Sequence, residues 1–170
     1  MKKLLLTLLI TLSTTILAKT PESLFGVYIN DNVLDYATKE ELKSKEKDYA
    51  RGFYYLVLKN PPVNNKNYSD ILFIKFDKNN KIAKIKSQKV FQNSETCEKV
   101  EYGVRRKLEN KYSIELLKNP YATYGFDKWV EDNVISTQCR VFSDDDTTLF
   151  ILLTSKEYDD KYNEYLDLKI

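Results

Sequence analysis

Residues 94–112, SETCEKVEYGVRRKLENKY, decide how the rest of the chain is read. Cys97, Val100, Val104, Leu108 and Tyr112 recur at three- and four-residue spacing, while the positions between them are mostly Lys, Arg and Glu. That pattern is one apolar stripe on an otherwise solvated helix. Ser94 stands where an N-cap is expected. Cys97 falls in the first turn on the apolar stripe, so its sulfur faces a core rather than solvent.

Working outward from this helix, both flanks read as strands. On the N-terminal side, 52–58 (GFYYLVL) is aromatic and aliphatic throughout, which predicts burial on both faces. Asn60-Pro61-Pro62-Val63-Asn64-Asn65 cannot continue a ladder and marks a loop. Residues 70–76 and 81–91 flank Lys78-Asn79-Asn80, where Asn tolerates the positive φ of a tight hairpin. Alternation in the second of these groups Ile82, Lys84 and Lys86 against Ala83 and Ile85, with one side facing water. On the C-terminal side, 134–142 and 147–154 are two more strands around Ser143-Asp144-Asp145-Asp146. Cys139 shares a face with Ile135, Thr137 and Val141.

The ends complete the order. Leu24 to Ile29 reads as a short strand, and Asn30, Asp31 and Asn32 precede a first helix starting at Val33. The charged run Lys39 to Asp48 continues that helix or frays from it. Thr154-Ser155-Lys156-Glu157 matches a capping box before a closing stripe of Tyr158, Tyr162, Tyr165 and Leu166. Helix, three strands, helix, two strands, helix predicts an α+β fold: a single antiparallel sheet of about five strands, two to three helices packed mainly on one face, and one disulfide. No internal repeat and no dividing linker is visible, so 19–170 is expected to form a single globular domain.

Residues 1–18, MKKLLLTLLITLSTTILA, have the layout of a secretory signal peptide: Lys2 and Lys3, an apolar core, and a small-residue exit ending at Ala18. The apolar part is shorter than the roughly 20 residues that span a bilayer. Its removal takes two of the 27 basic residues and brings them level with the 25 acidic ones. A neutral chain has no global field to attract nucleic acid, so no nucleic-acid partner is expected. Neither is a membrane span after cleavage. The expected location is periplasmic or extracellular.

Export decides the two cysteines. In an oxidising compartment a pair implies one bridge, Cys97 to Cys139. Chain-entropy bookkeeping for a loop of that length gives roughly 4 kcal/mol of stabilisation.

The chain contains no histidine. Ser-His-Asp, Cys-His and His-carboxylate zinc sites are therefore excluded. No CxxC is present either. Paired carboxylates and Ser-Lys dyads survive, but no spacing singles out a pair; Glu40-Glu41 and Asp159-Asp160 are adjacent and diverge on helices. Asp144, Asp145 and Asp146 read as a solvated turn rather than a calcium loop, lacking the Gly and bidentate Glu such a loop needs. Arg105-Arg106-Lys107 read as a solvated helix face. No catalytic residue, metal ligand or cofactor is assigned.

With 42% hydrophobic and 31% charged residues, and 13 Tyr, 8 Phe and 1 Trp, the chain can bury a core. Its densest aromatic cluster is Tyr121, Tyr124, Phe126 and Trp129, read as a connection containing Pro and Gly. Exposed, these side chains give large amphipathic contact area for a protein or an envelope glycan. Buried, they are a satellite core beneath that connection. The expectation is an exported, non-enzymatic binding module. The alternatives are a secreted hydrolase using carboxylates or a Ser-Lys pair, and a structural subunit of an envelope assembly.

Overall fold

A computed structural model describes residues 18–120, 125–143 and 146–168. The signal-peptide reading of 1–18 therefore falls almost wholly outside the described residues, as do Tyr121, Tyr124, Asp144 and Asp145.

Strands β1 (Ser23–Leu24) and β2 (Val27–Tyr28) form a two-stranded ribbon. Its turn holds Phe25 and Gly26 at φ of 53° and 78°. A Cβ at Gly26 would lie 2.9 Å from the Pro62 side chain, so glycine is required by both conformation and space. The helix expected from Val33 is only a 3₁₀ turn, Val33–Asp35, capped by Asn32. The α-helix begins later, as α1 (Lys39–Lys43), where Thr38 and Glu41 form a reciprocal capping box.

The main sheet is larger than the sequence pattern indicates. Its strands are β3 (Glu46–Lys47), β4 (Phe53–Leu58), β5 (Ile71–Asp77), β6 (Ile82–Phe91), β7 (Leu117–Lys118), β8 (Gly125–Val130), β9 (Asn133–Ser143) and β10 (Asp146–Ser155). Helix α2 (Ser94–Tyr112) follows β6 and α3 (Lys156–Asp167) follows β10. The eight strands run antiparallel in the order β3-β4-β5-β6-β10-β9-β8-β7. The expectation of about five strands is thus corrected to eight, plus the ribbon. β3 and β7 are two-residue edges, too short to carry a period. Gly125, Asp127 and Lys128 hide the alternation of β8, which is why the sequence pattern gives a connection there; its pairing with β9, from Gly125 opposite Gln138 to Val130 opposite Asn133, makes it a strand.

One register row fixes the core. Leu56, Ile74, Ile85, Leu153 and Ile135 lie side by side across β4, β5, β6, β10 and β9, all buried. Helix α2 packs over this row with Cys97, Val104, Leu108 and Tyr112. The N-terminal segment joins it: Tyr112 Oη donates to the Ser23 carbonyl (2.5 Å), and Lys19 N–H donates to the Tyr112 carbonyl (2.7 Å). Cys97 and Cys139 are bonded, S–S 2.01 Å, tying the first turn of α2 to β9. α+β architecture and the single disulfide therefore stand.

The helices do not share a face. Tyr158 of α3 packs with Ala50, Phe53 and Ala83 in a separate cluster on the far side of the sheet. A bulge explains how β6 serves both sides. Phe76 pairs with Ile82 and Lys75 with Lys84, leaving Ala83 as the extra residue. Ile82 and Ile85 consequently both point at α2, whereas Ala83, Lys84 and Lys86 point away. The alternation read from sequence, Ile82 with Lys84 and Lys86, is undone by that one residue. Helix starts also move by one: Asn93 Oδ1 accepts from Thr96 N–H, and Ser155 Oγ from Tyr158 N–H.

Candidate interaction surface

The sheet face away from α2 is built from further register rows. One runs Tyr55, Lys75, Lys84, Thr154, Val134 and Trp129; the next runs Val57, Phe73, Lys86, Leu152, Ser136 and, three strands from Lys86, Asp127. Beyond them come Ile71, Gln88, Phe150 and Gln138, then Val90, Thr148 and Arg140. Helix α3 covers the end holding Lys75 and Lys84. Towards the other end Phe150 and Thr148 are still buried, and exposed side chains lie around them. Val90 and Phe142 there are each 57% exposed, Val57 and Ile71 are also exposed, and Phe73 and Leu152 are half-buried. Phe142 meets Phe150 edge-on, ring centroids 6.3 Å apart.

The covered end is a charged network. Lys75 Nζ lies 2.7 Å from Asp48 Oδ2, whose side chain is wholly buried, and donates to Tyr158 Oη at 2.8 Å. Tyr158 Oη in turn donates to Asp48 Oδ1 at 3.1 Å. Among the described residues Lys84 has no carboxylate in contact; its ammonium sits 5.0 Å from the Tyr158 ring centroid. Burial, and then the neighbouring Lys75, pull its pKa down to about 8, with Asp159 acting weakly the other way. Burial holds the Tyr158 hydroxyl well above the ordinary range, and the Asp48 charge pushes it further.

At the open end, Lys86 Nζ stands 4.7 Å from the Phe150 centroid and 5.5 Å from that of Phe73. Desolvation lowers its pKa first, then the cations Lys75 and Arg140; only Asp48, on the covered end, opposes them. Among the described residues neither Lys86 nor Arg140 has an ion pair. An ammonium held over aromatic rings gains cation–π attraction but gives up water for it. Asp127, on β8 next to the edge strand β7, accepts a hydrogen bond from Asn119.

The described half of the aromatic cluster is divided between the faces. Trp129 is exposed on this open side. Phe126, of opposite parity in β8, turns towards α2, where Arg105 stacks on it with 3.9 Å between guanidinium carbon and ring centroid. Arg105 is not solvated, as its place in a basic triplet implied. Its Nε lies 3.3 Å from Glu101 Oε1 and its Nη1 3.9 Å from Glu109 Oε1. Thr137 Oγ1 donates to Glu101 at 2.5 Å, and Leu116 N–H donates to Glu109 at 3.1 Å. Burial raises the Glu101 pKa, against the pull of Thr137 and Arg105. The i, i+4, i+8 spacing of Glu101, Arg105 and Glu109 was available in the sequence and is the signal that finds this ladder.

Two cavities, of about 250 and 560 Å³, flank Arg105 between α2 and β8 and at the C-terminal end of α2. A third, of about 400 Å³, is lined by Glu22, Asp31, Glu131 and Asp132. Among the described residues no group of three or more metal-ligating side chains converges. Among them, too, no helix is long and apolar enough to cross a membrane. No family model, no curated protein and no solved structure matches the chain.

Proposed function

We propose that the chain is an exported, non-enzymatic binding module that docks a partner on the half of its sheet not covered by α3. The observation that carries this reading is the juxtaposition of exposed Val57, Ile71, Val90 and Phe142 around a half-buried Lys86 without a counter-ion. Several large apolar side chains exposed on one face of a protein mark a candidate interaction site. Export is supported by the leader pattern of residues 1–18 together with a disulfide of the kind common in oxidising compartments.

Crosslinked affinity capture from the envelope fraction of the producing cell tests this, using the natural chain and a Val90→Ser/Phe142→Ser double variant. Loss of captured partners in the variant, at unchanged melting temperature, is expected. Equal capture by both proteins rejects the surface. N-terminal sequencing of the native protein tests export, with Lys19 expected as the first residue.

A second reading, hydrolysis through carboxylates, attaches to Glu101, whose raised pKa and position beside a cavity resemble a general acid. It is weakened by the surroundings: both Glu101 and Glu109 are engaged by Arg105 and by hydrogen-bond donors of the chain itself. The assembly-subunit reading uses the same open face and differs only in the permanence of the contact.

A further inference from the structure

We infer that the partner of the open sheet face is an acidic protein segment, one of whose carboxylates seats on Lys86 between Phe73 and Phe150. This rests on the surface proposed above and adds the partner's chemistry. The argument is charge complementarity. Lys86 is held among two rings, an aliphatic neighbour and two cations, Lys75 and Arg140, and has no carboxylate of its own in reach among the described residues. Lys75 is already paired with Asp48, so Lys86 and Arg140 are the charges left to satisfy. A carboxylate arriving with apolar neighbours would neutralise Lys86 in a desolvated setting, where the interaction is stronger than in water.

The other occupants fit less well. A second copy docking face to face by a two-fold axis would bring the same residues together, setting Lys86 and Arg140 against Lys86 and Arg140. An anionic bilayer surface is held by clusters of roughly 4–8 basic residues; of the four cations on this face, Lys75 and Lys84 lie against α3, which leaves Lys86 and Arg140. From β4 to β9 the patch crosses four strand spacings, about 19 Å at ~4.8 Å each, which is the length of roughly six extended residues rather than of a single small ligand.

The test uses the purified protein and an eight-residue capped peptide alternating Glu and Leu, with matched peptides carrying Gln or Lys in place of Glu. Side-chain NMR follows the Lys86 ammonium and the Phe73 and Phe150 rings. The Glu peptide is expected to shift all three saturably, and Lys86→Gln to weaken it about tenfold, the equivalent of one charge pair. Lys99→Gln, on exposed α2, is expected to change nothing. Equal binding of the Gln or Lys peptide, or an unaltered affinity in Lys86→Gln, overturns the acidic partner. If Val90→Ser/Phe142→Ser nevertheless abolishes that binding, the surface stands and only its charge preference falls. Absence of shifts at millimolar peptide overturns the inference, as does binding to phosphatidylglycerol vesicles in its place. So does a concentration-dependent dimer in sedimentation that Phe142→Ser dissolves.

Discussion

Lys75 and Lys84 stand directly opposite each other on neighbouring strands, and the ring of Tyr158 lies 5.1 and 5.0 Å from their ammonium groups. Two cations cross-strand would repel. The structure resolves this unequally: Lys75 takes the buried Asp48 carboxylate, and Lys84 is left with aromatic rings. Helix α3 is docked by this arrangement, because Tyr158 bridges the Lys75–Asp48 pair and fills the space above Ala83.

The asymmetry makes stability depend on alkaline pH. Lys84 titrates near 8 when folded and near 10.5 when unfolded. Between those values the unfolded chain binds the extra proton, so stability rises with pH, by up to about 3 kcal/mol. Below pH 8 the cost of the buried charge is constant. Tyr158 acts in the opposite sense above pH 10, where the unfolded hydroxyl ionises and the folded one does not. Urea unfolding between pH 7 and 11 should show a rise and then a fall. Lys84→Met should remove the rise and stabilise the protein at neutral pH.

Removing the disulfide should be among the most costly changes. The bridge joins residues 42 apart in sequence, and both sulfurs are in the core beneath α2. Chain-entropy reasoning gives about 4 kcal/mol, and the Cys97→Ala/Cys139→Ala variant also loses buried contacts. Thermal unfolding of that variant, beside the reduced natural protein, measures the loss. Alkylation of the native protein should label neither cysteine.

How far the sequence was legible depends on which residues carried a period. Helix α2 and strands β4, β5, β6, β9 and β10 have enough residues for the 3.6- or two-residue repeat to emerge, and the bridge followed from compartment and count. β3 and β7 exist only because a neighbour pairs with them. Phe126 and Trp129 looked like one cluster, yet their three-residue spacing in a strand sends them to opposite faces. The bulge at Ala83 is invisible to alternation, and it is what turns Ile82 into the core while Lys84 and Lys86 stay on the opposite face. The open half of that face was likewise hidden, since which side α3 covers is a tertiary choice.

The ladder at Arg105 separates bracing from chemistry. Arg105→Met leaves Glu101 buried without its cation, whereas Glu109 keeps Arg106 at 3.0 Å, and the change should cost about 3 kcal/mol. Glu101→Gln keeps an acceptor for Thr137 and should cost about 1–2 kcal/mol. Because the folded Glu101 pKa is raised, its contribution is full below the unfolded value of 4.5 and declines as pH rises above it. The natural protein should therefore lose a small increment of stability just above pH 4.5 that Glu101→Gln lacks. Chemical denaturation of both proteins from pH 4 to 7 reads this directly.

A final contrast concerns two phenylalanines on opposite sides of the sheet. Phe76 is wholly buried in the α2-side core, so Phe76→Ala should cost about 3–5 kcal/mol. Phe142 is 57% exposed and touches chiefly Phe150, so Phe142→Ser should change stability by no more than about 0.5 kcal/mol. If the open face were structural filler, a substitution there would be felt in unfolding and nowhere else. If it is a docking surface, unfolding should hardly register Phe142→Ser, while capture from the envelope fraction should fall. Paired denaturation and capture measurements on the single variant distinguish the two, because each account predicts the readout that the other leaves unchanged.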